Sequence, residues 1–397
     1  MRTLITLPPM YCPFQHVMHP KVTQFDKDTA DWLEHWELYW DEPQKRRMVR
    51  AGWGRLAALA YPTGTDALIQ IASDWMAWAF AYDDEWCDEA PVTKKPEAMI
   101  MAAARMSRAL ESPEHPVDPT DRYSLSMQEL RIRLEQHATP DQVGRVVEAQ
   151  KGYFMAEMVK AACMFPNLSE CVLLRLTGGG GMVFPVLRHV VAGIDIDQAT
   201  YLDRRIVAMT EMAATLVVWE NEFFSYAKES MRASLDTRGH NVIDAVRREF
   251  GYDGMQALNW LNAMHDRVMG LFVRLREQLL QDATPEIARY IEALIHYQTG
   301  ILEWHRIDER YRCLSAEDTS PCFDGGGPAD QPHDKSFEPV PIASIQWWWR
   351  YDPARQSANS ATGDFHPNQL VEPAREAGRL FNATQENYVH KPRAVAA

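Results

Sequence analysis

Between residues 21 and about 315, apolar side chains recur at i, i+3, i+4 and i+7 in one segment after another. The stretches TADWLEHWELYW, TDALIQIASDWMAWAFAYDDEW, DQVGRVVEAQKGYFMAEMVKAACM and TYLDRRIVAMTEMAATLVVWENEFFSYAKE follow this period, as does the run from Thr284 to Tyr311. A 3.6-residue repeat gathers such positions on one face, so each segment predicts an amphipathic helix. Alternating apolar and polar β-branched runs are nearly absent, and no Asn-Gly or Asp-Gly turn is flanked by plausible strands. The expected fold class is therefore all-α.

Pro- and Gly-containing segments at 91–96, 112–119, 166–167, 178–181 and 238–239 punctuate the helices. No period of some 20 to 50 residues repeats, which argues against a solenoid. Beyond about residue 315 the chain turns to SAEDTSPCFDGGGPADQPHDKSFEPVP, too rich in Pro, Gly and Asp for a packed helix. The expected organisation is an N-terminal strap over 1–20, a helical domain over 21–315 and an irregular tail over 316–397. Within the tail, residues 344–351 carry Ile345, Trp347, Trp348, Trp349 and Tyr351. Such a segment is too apolar to float free and is expected to dock on the helical body or on another subunit.

Composition narrows the function classes. With 46% hydrophobic residues in 397, the chain can bury a large core. The net charge of -14 repels polyanions and argues against a nucleic-acid partner. An anionic ligand would need metal ions or a local cationic pocket. No apolar run reaches the ~18 residues of a membrane span, and the N-terminus lacks a signal-peptide core, so a cytoplasmic protein is expected. The cysteines at 12, 87, 163, 171, 313 and 322 show no CxxC pairing and read as reduced thiols.

Two acidic and polar clusters carry candidate chemistry. Asp83-Asp84-Glu85-Trp86-Cys87-Asp88-Glu89 closes a helix that presents Trp75, Trp78, Phe80 and Tyr82 before it. Carboxylates at a helix C-terminus oppose the macrodipole and repel one another, so the cluster costs stability unless cations neutralise it. Hard cations such as Mg²⁺ take oxygen ligands from one or two carboxylates together with substrate phosphates. The second cluster is Asn221-Glu222-Phe223-Phe224-Ser225-Tyr226-Ala227-Lys228-Glu229. Asn221, Ser225 and Glu229 stand at i, i+4 and i+8, on one helical face, and form an amide, hydroxyl and carboxylate oxygen set suited to Mg²⁺. Lys228 lies beside it as a phosphate contact. Alone, either cluster is also compatible with a solvated helix face.

Together they resemble the two metal motifs of bacterial class I terpene synthases, the aspartate-rich DDxx(x)D and the N-D-x-x-S-x-x-x-E triad. Arg175 stands where that family carries its pyrophosphate-sensing arginine, and Trp304 with Arg310-Tyr311 resembles its C-terminal RY pair. The resemblance covers residues 20 to 315 and implies a class I α-helical barrel. It implies metal ligation by Asp83, Asp84, Asp88, Asn221, Ser225 and Glu229, with three Mg²⁺ ions for which Mn²⁺ can substitute. Arg175, Lys228, Arg310 and Tyr311 would then donate hydrogen bonds to the diphosphate.

The sequence departs from the family pattern at three places. Glu222 replaces the usual Asp. Gly178 stands where many relatives place an acidic linker. The tail has no counterpart in short members. The run Gly178–Gly181 costs ~1 kcal/mol per residue in a helix relative to Ala, which predicts a break facing a cavity. In the family that break supplies an effector carbonyl, carried over here to Gly179.

The implied reaction is ionisation of an isoprenyl diphosphate and cyclisation of the carbocation, with farnesyl diphosphate favoured over geranylgeranyl diphosphate. Aromatic faces stabilise such a cation. Phe80 and Trp304 are the leading candidates, followed by Trp53, Phe184 and Trp219. The resemblance also allows a homodimer. An isoprenyl diphosphate synthase would need a second aspartate-rich motif, which is absent; a non-catalytic helical binding protein would require the ordered matches to be accidental.

Overall fold

The computed structural model describes residues 4–88, 96–162, 166–231, 241–312 and 322–355, without the side chains of residues 88 and 227–231. The chain begins with two short strands, β1 (Ile5–Leu7) and β2 (Met10–Tyr11), and four helices: α1 (Val22–His35), α2 (Glu42–Arg50), α3 (Trp53–Ala60) and α4 (Asp66–Tyr82). A wide π-helical turn over Asp83–Asp88 follows. Next come α5 (Pro96–Glu111), α6 (Arg122–Glu135), α7 (Pro140–Ala162), α8 (Leu168–Thr177) and α9 (Val183–Val191). The short α10 (Gln198–Tyr201) leads into α11 (Arg204–Met231), followed by α12 (Val242–Phe250), α13 (Gly254–Leu279) and α14 (Pro285–Ile307). The expected all-α class holds, and no described helix is long and apolar enough to cross a membrane.

Local chemistry explains where the helices start. Thr65 caps α4 by accepting from the Leu68 N–H, and Asn167 with Glu170 forms a capping box at α8. Asp253 with Gln256 does the same for α13, and Thr284 followed by Pro285 starts α14.

Packing then decides which way each helix faces. α4 is buried around almost its whole circumference, with Ile69, Ala72, Trp75, Ala77 and Trp78 essentially inaccessible. A helix hydrophobic all round belongs in the centre of a bundle. It packs on α1, α3, α6 and α9, while α14 packs on α3, α9 and α11. The indole N–H of Trp75 donates to Gln150 on α7 at 2.8 Å, and that of Trp78 to Ser126 on α6 at 3.1 Å. These bonds fix the rotation of α4, and with it the direction in which Asp83 leaves its end.

The N-terminal strap and the start of the tail meet. β1 pairs in parallel with β3 (Phe323–Gly325), in register Ile5 to Phe323, and β2 with β4 (Pro328–Ala329). These strands are too short for an alternating pattern to announce them. Further on, a 3-10 turn over Gln346–Tyr351 buries Trp348 and Trp349. The Trp348 indole donates to Glu211 on α11 at 2.8 Å, and Arg204 lies 3.9 Å over the Trp347 ring. The Trp-rich segment thus rests on the helical body of its own chain. The tail beyond residue 355, Cys163 and Cys313 lie outside the described residues.

Candidate active site

α3, α4, α7, α11 and α14, with the α8–α9 junction, surround a cavity of about 670 Å³ including its open mouth. Asp83, Arg175, Gly179, Asn221 and His305 stand on its rim, and below them the lining is apolar and aromatic.

On the α4 side, the three leading acids of the π-helical turn each meet a cation. Lys160 of α7 lies 3.7 Å from Asp83 and 2.8 Å from Glu157. Asp84, only 2% exposed, accepts both terminal nitrogens of Arg310 at 2.6 and 3.2 Å. Glu85 pairs with Arg122 at 2.6 Å and accepts from the Tyr123 hydroxyl at 2.8 Å. The repulsion expected of this cluster is therefore relieved partly by the protein's own basic groups, and not by metal ions alone. Asp83, Cys87 and Glu157 bring ligand atoms within 4.8 Å of one another.

On the α11 side, the Asn221 amide donates to the Tyr311 hydroxyl at 2.7 Å, and its oxygen accepts from Arg175 at 3.4 Å. Burial drives the Tyr311 phenol up from its ordinary value, so it remains protonated. His305 lies 3.4 Å from Asn221, and burial lowers its pKa to about 3, leaving a neutral imidazole. Ser225, one turn beyond Asn221, is buried. Asp88, Lys228 and Glu229 belong to the described backbone, but their side chains lie outside the described residues.

Arg175 joins the two sides. Its Nε lies 2.6 Å from Glu222, whose other oxygen accepts the Val242 N–H at 2.8 Å. Burial opposes the charge on Arg175, but Glu222, Glu157 and Asp83 outweigh it and hold the guanidinium firmly protonated. The glycine run breaks the helix where composition predicts, with Gly179 at φ +61 and Gly180 at φ +76. Only glycine adopts this left-handed backbone without strain. The Gly179 N–H donates to Glu157 at 3.3 Å. An acidic side chain therefore does meet the junction, supplied by α7 instead of position 178. Sequence reasoning missed Glu157, whose only local signal is an acid on the buried face of α7.

The aromatic candidates divide. Phe80, Phe184 and Trp304 line the cavity, whereas Trp219 is fully buried outside the lining. Trp53 sits behind the wall, 4.9 Å from Phe80 and 5.9 Å from Trp304. Arg310 stacks 4.6 Å over Phe80, and the Trp304 indole donates to the Gly52 carbonyl at 3.1 Å. Tyr153 and Tyr297, not singled out by sequence, also line the cavity.

Comparison with known proteins agrees with this geometry. Residues 74–270 match the family model described as terpene synthase family 2, C-terminal metal binding. A germacradien-6-ol synthase of Streptomyces pratensis is 32% identical over 348 residues, covering 86% of this chain and 96% of that protein. Bonnadiene synthase of Allokutzneria albata is 30% identical over 360 residues, covering 87% and 98%. The crystal structure of a protein from ancestral sequence reconstruction superposes with a TM-score of 0.75 at 25% identity, covering 86% of this chain and 98% of its own. Identity of this order sustained over nearly the full length of its relatives, together with the metal-binding family model, means that the chain belongs to the terpene synthase family and is a terpene synthase of the class I fold.

Proposed function

We propose that the chain is a Mg²⁺-dependent terpene synthase that ionises farnesyl diphosphate, cyclises the resulting carbocation to a terpene hydrocarbon or alcohol, and releases diphosphate. The observation that carries this reading is the layering of the site, with the oxygen donors Asp83 and Asn221 and the Arg175 guanidinium above an aromatic cavity, and Arg310 over Phe80 beside it. A 4-epi-cubebol synthase of Streptosporangium roseum, named as cyclising farnesyl diphosphate, is 25% identical to this chain.

The donor chemistry fits a hard divalent cation. Asp83 offers a carboxylate, and Asn221 and Ser225 offer neutral oxygens from one face of α11. Asp83, Asp84, Asp88, Asn221, Ser225 and Glu229 are the residues proposed to hold three Mg²⁺ ions, or Mn²⁺ in their place. When bound, Mg²⁺ supplies neutralisation of the negative charge that develops on a departing diphosphate.

The chain's own residues do the rest. Arg175, Lys228, Arg310 and Tyr311 are proposed to donate hydrogen bonds to the diphosphate and hold it at the rim. Arg310 already has a carboxylate partner in Asp84, so engaging a diphosphate means sharing or exchanging that pair. The Gly179 carbonyl is proposed to face the ionising carbon. Phe80 and Trp304 present ring faces to the cation, an attraction worth about 2 kcal/mol when desolvated. The apolar lining excludes water until the last proton is lost, and the released diphosphate can accept that proton.

The test is incubation of purified protein with Mg²⁺ and geranyl, farnesyl or geranylgeranyl diphosphate, followed by volatile analysis and diphosphate assay. A terpene product from farnesyl diphosphate, abolished by EDTA and by Asp83→Asn or Asn221→Ala, is expected. No product and no diphosphate from any of the three substrates would overturn the reading.

A further inference from the structure

The helices around the cavity carry its lining as ladders, about one rung per turn, and the ladders rank the lining residues by depth. On α4 the rungs below Asp83 are Phe80 with Ala79, and then Met76. On α14 the rungs below His305 are Ile301 and then Tyr297. At 1.5 Å per residue, Met76 lies about 10 Å below Asp83 and Tyr297 about 12 Å below His305. The other ladders end sooner. On α11 the lining stops at Val217 and Val218, one turn below Asn221, and on α7 at Tyr153, one turn below Glu157. Met76 and Tyr297 are therefore the deepest rungs of these four ladders, while Leu56 of α3 and Phe184 of α9 each add one lining residue.

The packing around these rungs is tight. Between Ile301 and Tyr297, at Gly300, α14 presses on α3 so closely that a Cβ would come within 2.2 Å of the Leu59 carbonyl oxygen. At the end of α3, the Tyr61 hydroxyl donates to the Phe184 carbonyl at 3.1 Å. Arg188, 1% exposed, stands 5.8 Å from the Tyr61 ring and donates to Thr63 Oγ1 at 2.9 Å. Close-packed interiors transmit such constraints instead of absorbing them, so a chain too long for the cavity cannot push through. Tyr297 itself makes no hydrogen bond among the described residues, and packing alone holds its ring.

We propose that Met76 and Tyr297 form the floor of the cavity and decide the length of isoprenyl chain it accepts. Their bulk limits the depth below the diphosphate, so that three isoprene units fold within the cavity and a fourth is excluded. This deepens the farnesyl diphosphate reading and rests on it for the direction of preference in the wild type. Bulk, not the phenol, is the operative property of Tyr297.

The experiment compares wild type with Met76→Ala, Met76→Phe, Tyr297→Ala and Tyr297→Phe. Thermal unfolding first establishes that each variant is folded. kcat/KM is then measured for geranyl, farnesyl and geranylgeranyl diphosphate. Dissociation constants for the matching unreactive thiolodiphosphates give the same ratio for any folded variant too slow to assay. Met76→Ala and Tyr297→Ala are expected to raise the twenty-to-fifteen-carbon ratio roughly tenfold or more, the scale at which pocket size discriminates. Met76→Phe is expected to lower that ratio and favour the ten-carbon substrate, and Tyr297→Phe to leave it unchanged. Ratios within about twofold of wild type in both alanine variants, or the same direction of change in Met76→Ala and Met76→Phe, would place the floor elsewhere. A wild type that prefers the twenty-carbon substrate would overturn the fifteen-carbon reading alone, because the floor is judged by the opposite shifts in Met76→Ala and Met76→Phe.

Discussion

Glu222 shows how much one side chain can hold together at the rim. It bridges Arg175, at 2.6 Å, to the first backbone N–H of α12, and both it and Val242 are buried while Arg175 is largely so. A buried ion pair contributes little compared with an apolar replacement of both partners, yet loss of one partner strands the other charge. Glu222→Gln keeps the volume and removes the charge, and is expected to cost about 3 kcal/mol. Urea unfolding would measure that loss, and Glu222→Asp should cost less because it keeps the carboxylate. An unchanged unfolding midpoint in Glu222→Gln would mean that Arg175 finds its counter-charge elsewhere, with Glu157 the nearest alternative. In the sequence, Glu222 reads only as a conservative departure from a motif. Its partner Arg175 stands 46 residues before Asn221, beyond the reach of any local pattern.

At the scale of one element, the junction between α8 and α9 separates conformational strain from function. Gly179 and Gly193 both hold positive φ, at +61 and +59, so an alanine at either site costs about 1 kcal/mol or somewhat more in backbone strain. They differ in what surrounds them. A Cβ on Gly179 would lie 3.0 Å from Arg175 Nη1, whereas nothing lies within 4 Å of one on Gly193. Gly179→Ala is expected to lose turnover by about tenfold or more because it displaces the guanidinium at the rim. Gly193→Ala should lose comparable stability and keep its turnover. Parallel measurements of kcat and thermal midpoint would check both, and equal turnover in the two variants would remove Gly179 from the mechanism. The break itself was legible, because consecutive glycines have no other use inside a helical pattern. That its N–H would meet Glu157 was not, because the two lie on different helices.

The whole molecule adds a support that no motif reveals. β3, near the far end of the described chain, pairs with β1 at its beginning, and Phe323 places its ring 5.0 Å from Phe224. Phe224 stacks in turn on His305 and stands between Asn221 and Ser225 in the chain. Phe323→Ala is expected to cost about 3 kcal/mol and to raise the Mg²⁺ concentration needed for half-maximal activity, since it frees the back of the α11 segment that carries the oxygen donors. Trp348→Ala supplies the contrast. It removes a fully buried indole that bonds Glu211, about 15 Å along α11 from Asn221, and should cost similar stability without moving the metal dependence. A metal response that shifts equally in both variants would mean that global destabilisation, not local support, is being read.

By itself the sequence determined that residues 21 to about 315 are mainly helical, where acids and amides cluster, and that Asn221 and Ser225 share a face, because a 3.6-residue period and a helix terminus are local properties. It also located the glycine break and the family to which the pattern points. Only the tertiary structure decided that Arg310, Lys160 and Arg122 divide the acids of the π-helical turn among them, that Phe184 lines the cavity while Trp219 does not, and that Met76 and Tyr297 line it from different helices. The physical reason is that periodicity defines a face but not its neighbour. Which side chains converge depends on how each helix is rotated against the others, and that rotation is fixed by the packing and indole hydrogen bonds of the buried core.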